Sequence, residues 1–171
     1  GDVELIEDMI ALDHPPEIGD SAVVTFVVDI GQQNSDLDRI AFLLTASTAE
    51  DSWESSITFT ASAPNLEYVS HVFEPDPFNA GDTAWVEVTV NNIGSLASEE
   101  LNAVLVSNRD VITVFNPNAS FDPIEAGGEE TVSANFRIYA HTLTVPGTPV
   151  NMSIEFSNQD GFLDRTEFDY V

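Results

Sequence analysis

The chain has 171 residues, of which 30 are acidic and only four are basic, so its formal net charge is −26. Such a surface repels phosphate groups and anionic lipids, which argues against nucleic-acid binding and membrane docking; it suits solubility in salty water or the binding of cations. The absence of Cys excludes disulfides, thiolate metal sites and a cysteine nucleophile, and no apolar run is long enough to predict a membrane-spanning helix.

The first part of the chain recurs later in the sequence. Shifted by 108 positions, residues 2–30 align without a gap with residues 110–138. The residues that are identical to their counterparts are Asp2, Val3, Ala11, Pro15, Glu17, Gly19, Val24 and Ile30. Apolar residues alternate with polar ones at the end of both segments, which is typical of a strand with one buried face.

The match continues beyond a loop that is two residues longer in the second copy. There Ile40, Phe42, Leu44 and Ala46 correspond to Val150, Met152, Ile154 and Phe156, and Trp53, Ser55, Ile57 and Phe59 correspond to Phe162, Asp164, Thr166 and Phe168. We therefore expect residues 64–171 to form one complete repeat, and residues 1–63 to form the C-terminal half of another. The short link at Ala63-Pro64 indicates a stiff joint between them.

The complete repeat is predicted to consist of strands separated by turns rich in Pro, Gly, Asn and Asp. The predicted strands are 66–73, 84–91, 100–106, 111–115, 129–139, 149–157 and 163–171, which indicates an all-β antiparallel sandwich. Alternation places Val86, Val88, Val132, Phe136, Ile154 and Phe168 inside it. The same phase argument places Trp53 in the core of the first region, and the turn NNIG (91–94) supplies residues that tolerate left-handed backbone.

Three stretches resemble one family. AGDTAWVEVTVNNIG (80–94), ITVFNPNASFDPIEAGGEETVSANFRI (112–138) and WESSITFTASAP (53–64) are similar to bacterial immunoglobulin-like repeats. Such repeats occur in tandem in cell-adhesion-related modules and downstream of the catalytic domain in gingipain-type secreted peptidases. The resemblance implies an immunoglobulin-like sandwich at the bacterial cell surface. It also implies a non-catalytic stalk, adhesion or assembly unit whose partners are neighbouring modules or other subunits.

Two other functions remain open from the sequence. The chain could be an accessory C-terminal region of a secreted peptidase, with the activity in other residues. It could also bind surface glycans through loops or through Trp85, which shares its side of a predicted strand with Glu87 and Thr89 and so should lie on the outer face.

Calcium is the one cofactor that the sequence suggests, because calcium needs several clustered oxygen ligands. Three loops offer them: Asn34, Asp36 and Asp38; Asp76, Asn79 and Asp82; and Asn158, Asp160 and Asp164. None matches a complete EF-hand loop, and the same residue types are what ordinary turns require, so structural turns are the alternative interpretation.

The remaining candidate residues form only weak motifs. His14, His71 and His141 are the only histidines, and none has a metal-binding or hydrolytic spacing, so no catalytic residue is predicted. Asn118 and Asn151 begin Asn-x-Ser patterns, and Ser21 and Thr83 lie in Asp-Ser/Thr-Ala patterns, which are candidate glycosylation sites.

The half repeat raises a question of assembly. Without the first three strands of a repeat, the alternating faces of residues 23–30 and 40–46 should be uncovered, and unpaired strand edges invite another chain. Two completions are open: a preceding segment, or a neighbouring subunit that contributes strands and so builds filaments. The plain alternative is a truncated chain.

Overall fold

The computed structural model describes residues 3–6, 9–12, 16–17, 19–31, 34–129, 131–161 and 163–170, and within these ranges the regular structure is β-strand throughout. The first region contains β1 (Val3–Leu5), β2 (Val28–Ile30), β3 (Arg39–Ser47) and β4 (Ser52–Thr60). The second contains β5 (Leu66–Glu74), β6 (Thr83–Asn92), β7 (Leu101–Ser107), β8 (Ile112–Asn116), β9 (Asn118–Phe121), β10 (Thr131–Ala140), β11 (Val150–Ser157) and β12 (Leu163–Tyr170).

The second region is an antiparallel β-sandwich, which confirms the predicted fold class. One sheet has the strand order β5-β6-β10-β8 and the other has the order β12-β11-β7-β9. Alternate residues of the two sheets point inwards and form one continuous apolar core. Its largest fully buried side chains include Phe121, Phe136, Phe156, Leu105 and Met152.

The seven predicted strands of this region all occur, with ends displaced by at most two residues. Of the six residues predicted inside, five are buried and Val132 is half-buried at the start of β10. Strand β9 was not predicted. Pro117, which has no amide hydrogen, separates β8 in one sheet from β9 in the other, and its carbonyl accepts a hydrogen bond from Leu105.

The described residues of the first region form two separate strand pairs. Strand β1 pairs with β2, and β3 pairs with β4, both antiparallel. The repeat alignment equates these pairs with β8–β10 and β11–β12 of the sandwich, which are also antiparallel neighbours. Gly19 and Gly127, which the alignment equates, both have left-handed backbone, with φ of 93° and 98°.

The prediction that Trp53 lies in a core is wrong, because its side chain is 57% exposed. The residue does lie on the apolar face of the β3–β4 pair, opposite Ala46. No described residues form a second sheet over that face, so the alternating pattern gives the orientation of Trp53 but not its burial.

The register also corrects the alignment of β4. Ile40 pairs with Phe59, whereas its counterpart Val150 pairs with Tyr170. Phe59 therefore takes the place of Tyr170, and not of Phe168 as the sequence alignment had it. The loop between β11 and β12 (158–162) is longer by one residue than the loop between β3 and β4 (48–51), which the alignment missed.

Candidate functional site at the joint between the two regions

The joint lies at the end of the sandwich where β5 begins. The link Ala61–Asn65 connects β4 to β5 and lies beside the turn that follows β6. Ala61 and Ala63 are buried, although both are outside the sandwich core. The loop between β2 and β3 packs onto the same link, so three chain segments meet at this point.

Asp36 connects these segments through its carboxylate. Oδ1 accepts hydrogen bonds from the backbone amide of Ala63, at 3.0 Å, and from the hydroxyl of Ser95. The hydroxyl of Ser95, followed by the amide of Ala63, lowers the pKa of the Asp36 carboxyl below its ordinary value, because both donors favour the charged form. One side chain of the first region thereby binds both the link and the sandwich.

The backbone that follows Asp36 is fixed as well. The amide of Leu37 donates to the carbonyl of Ala61 at 2.9 Å, and the amide of Ala61 donates to the carbonyl of Asp38 at 2.8 Å. Leu37 has a φ of 64°, the only positive value among the described residues other than glycine. A left-handed leucine costs about 1–2 kcal/mol, so the surrounding hydrogen bonds must hold it in place.

Gly94 provides the close approach between the sandwich and the link. A Cβ atom at this position would lie 2.3 Å from the carbonyl oxygen of Ala63 and 2.6 Å from the amide nitrogen of Asn65. None of the four residues of NNIG has a positive φ, so their tolerance of left-handed backbone is not used here. Glycine is needed here because two backbone segments touch, not because of its φ angle.

The side chain of Asn92 is fully buried and holds the turn that follows β6 through four hydrogen bonds. Its Oδ1 accepts hydrogen bonds from the amides of Asn65 and Gly94, both at 3.0 Å. Its Nδ2 donates to the carbonyls of Leu96 and Ile124, at 2.8 and 3.2 Å. Sequence reasoning missed this role, although a buried asparagine at the end of an apolar strand is the signal that could have suggested it.

The predicted acidic loops are used mainly for turn hydrogen bonds. In the first, Asn34 donates to the carbonyl of Gly31, and Asp38 accepts from the amide of Ser35. In the loop between β5 and β6, Asp82 accepts from both the backbone and the side-chain nitrogen of Asn79. Asp76 lies exposed in the same loop.

In the third loop, Asn158 accepts from the amide of Asp160. Asp164 binds the amide of Leu66 at 2.8 Å, which joins β12 to β5 across the two sheets. The pKa of the Glu99 carboxyl is raised, mainly by its hydrogen bond with Asp160 and further by the negative charge of Asp160. Within the described ranges no three His or acidic side chains gather as metal ligands, and calcium binding stays a prediction.

The histidines and glycosylation motifs are dispersed. His14 lies outside the described residues, while His71 and His141 hydrogen-bond to the hydroxyls of Tyr68 and Thr113. Asn118, Ser21 and Thr83 are exposed. Asn151 lies in the inner strand β11, where its amide group bonds to Asp169 and Asn108, so glycosylation there would displace two contacts.

No protein-family model matches the sequence, and no curated protein is significantly similar to it. The part of the chain that the structure describes contains no helix long and apolar enough to cross a membrane.

Proposed function

We propose that the chain is a non-catalytic, extracellular array of immunoglobulin-like modules that acts as a stalk, adhesion or assembly unit. The main support for this proposal is the structure of the joint. A mechanical spacer must hold consecutive modules in a fixed relation, and Asp36, Ala63 and Gly94 bring the two regions into backbone contact there. The strongly acidic surface, which favours solubility, fits an exposed location.

The path of the chain through the sandwich supports the same function. Strand β5 begins at the joint, and β12 begins beside it, since Leu66 and Tyr68 donate hydrogen bonds to Asp164 and Thr166. Both strands therefore run away from the joint. The polypeptide enters at one end of the sandwich and reaches the opposite end at Tyr170, the arrangement that an extended tandem array requires.

The joint can be tested with spin labels, because the chain has no Cys and two introduced cysteines would be its only labelling sites. Labels at Ser56→Cys and Asn135→Cys, both at exposed positions in the two regions, should give one narrow distance distribution. Adding Asp36→Ala and Ser95→Ala should broaden it, whereas Asp122→Asn, at an exposed position elsewhere, should not. A broad distribution in the parent chain would reject a stiff joint.

Assembly through the first region is the second part of the proposal. The repeat equates the β3–β4 pair with β11–β12, whose inner face is covered by the opposite sheet of the sandwich. The equivalent face carries Phe42, Ile57 and Phe59, and an open cavity of about 580 Å³ lies beside Ile40 and Phe42. Strands equivalent to β5 and β6, supplied by another module, would cover this face, and a strand equivalent to β7 would pair with the edge of β3; together they could link subunits into filaments.

Light scattering of the chain over a range of concentrations tests this assembly. Concentration-dependent growth that Phe42→Ser and Phe59→Ser prevent is the expected result. A monomer whose amides in residues 40–46 exchange slowly without any partner would show that the face is already covered and would reject strand complementation.

A further inference from the structure

A stripe of large apolar side chains crosses the outer face of the sheet β5-β6-β10-β8. Each strand contributes one residue: Val72 from β5, Trp85 from β6, Tyr139 from β10 and Phe115 from β8. Their neighbours Phe73, Val86 and Ile138 point to the opposite face and are buried in the core. The stripe is therefore not the edge of the core; it is a separate outer surface.

Three side chains of the stripe are exposed and Tyr139 is half-buried, and each of the aromatic rings has a neighbour on the same face. Val72, Trp85 and Phe115 are 63%, 45% and 58% exposed. The guanidinium of Arg137, which is the cross-strand partner of Trp85, lies 5.9 Å from the Trp ring centroid. The rings of Phe115 and Tyr139 are 6.0 Å apart and inclined by 33°. These contacts favour the ring orientations seen in the structure, which leave part of each ring open to a ligand.

Hydrogen-bonding groups flank the stripe on the same face. Glu74 and Glu87 are the cross-strand partners of Trp85 and Val72, and Asn135 pairs with Glu87. Thr113 pairs with Tyr139. An apolar strip bordered by carboxylates, an amide and a hydroxyl matches a ligand with one apolar face and a rim of hydroxyl groups.

The exposed apolar area of the stripe fits a small ligand better than it fits a protein partner. Two half-exposed aromatic rings and a valine offer roughly 300 Å² of apolar surface, whereas a stable protein interface buries about 800 Å² per partner. Across four strands the stripe is about 14 Å long, which suits a short oligosaccharide. The net charge of −26 would repel an anionic polysaccharide.

We propose that this stripe binds a neutral oligosaccharide, with pyranose rings stacked on Trp85 and on the Phe115–Tyr139 pair. The C–H faces of the sugar would lie against the aromatic rings, and its hydroxyls would bond to the flanking side chains. This proposal is independent of the joint, since none of the stripe residues takes part in the joint's hydrogen bonds described above.

Affinity electrophoresis in gels that contain a soluble β-glucan, a β-mannan, a xylan or the anionic control alginate would test the proposal. At least one neutral polysaccharide should retard the chain, and alginate should not. Trp85→Ala and Phe115→Ala should each weaken the retardation about tenfold in apparent affinity. Trp53→Ala is the control, because Trp53 is a tryptophan of comparable exposure, 57% against 45%, that lies in the other region; it should leave retardation by the polysaccharide, relative to a gel without polysaccharide, unchanged.

Circular dichroism and urea midpoints of the variants would establish that they are folded. Failure of all three neutral polysaccharides to retard the parent chain would overturn the proposal. So would retardation that survives the double variant Trp85→Ala/Phe115→Ala. If the two substitutions instead abolish a dimer seen by light scattering and no polysaccharide binds, the stripe is a protein contact and the proposal is wrong.

Discussion

Both regions contain strands in which apolar and polar residues alternate, but the apolar face is covered by a second sheet in only one of them. In β11 the inward residues Met152 and Ile154 are fully buried by the opposite sheet. In the equivalent β3–β4 pair, Phe42 and Leu44 are half-buried, and Phe59 is 52% exposed. Alternation therefore specifies which face of a strand is apolar. Burial depends on whether a second sheet is present, which no local pattern encodes.

The largest expected effect compares the same substitution in both regions. Phe136→Ala, at a fully buried position, should lower the free energy of unfolding by about 3–5 kcal/mol. Phe59→Ala should lower it by about 1 kcal/mol or less, because little apolar surface is removed from a packed environment. Urea unfolding followed by circular dichroism measures both. Equal losses would mean that the β3–β4 face is packed in solution and would contradict the exposure described above.

Much of the fold followed from periodicity because residues 64–170 obey it consistently. Buried residues, among them Val86 and Val88, alternate with exposed or half-buried ones over the length of β6, and each predicted strand is bounded by turn residues. Strand β9 was missed because it is only four residues long and follows Pro117 directly. The pairing of β4 was misplaced because register is fixed by loop length, and the sequence comparison made the loop before β12 one residue shorter than its counterpart, whereas it is one residue longer.

The next largest effect concerns the contact that joins the regions. Gly94→Ala would place a methyl group against the backbone of Ala63, and backbone has little room to move, so we expect a loss of roughly 2 kcal/mol. The link 61–65 should also become sensitive to limited proteolysis. Gly147→Ala is the control: its φ of 76° makes alanine unfavourable, but no atom lies within 4 Å. Equal protection of the link in both variants would contradict the role given to Gly94.

A smaller effect is expected at Asp36. Asp36→Ala removes an acceptor shared by two donors and should cost about 0.5–1.5 kcal/mol. The pKa of Asp36 is lowered from its ordinary value of 3.8, so its contribution is present above that pH and is lost as pH falls through the folded-state pKa. Label-to-label distances across the joint should broaden in strong acid. Asp51→Ala, at an exposed turn position, should leave them unchanged.

The joint was only partly predictable from its residues. A short Ala63-Pro64 link indicated stiffness, and Asp36 was singled out, but as a candidate calcium ligand rather than a hydrogen-bond acceptor for Ser95. Asp36 and Ser95 are far apart in sequence, and their meeting depends on how two repeats pack. Turn-forming, metal-binding and bridging carboxylates use the same residue types, so the sequence alone could not separate these roles.

The smallest expected effect lies at the edge where β5 meets β12. His71 packs against the rings of Phe73 and Phe168, at 5.0 and 5.1 Å, and its Nδ1 lies 2.7 Å from the hydroxyl of Tyr68. Burial lowers the pKa of His71 below its ordinary value of 6.5. In the tautomer that carries its proton on Nε2, the neutral ring accepts the hydrogen bond from Tyr68, and protonation would remove that acceptor.

Because the unfolded chain binds a proton at His71 more readily than the folded chain does, stability should rise with pH through this range. The contribution of neutral His71 is complete above pH 6.5 and is lost as pH falls through the lowered pKa. The difference in unfolding free energy between the parent and His71→Gln, measured from about pH 8 to about pH 5, should shrink by less than about 1 kcal/mol. Carboxylates titrate in both proteins alike, so the difference isolates His71. His141→Gln, which lies outside this aromatic cluster, is the control, and a pH-independent difference for His71→Gln would show that its burial does not influence titration.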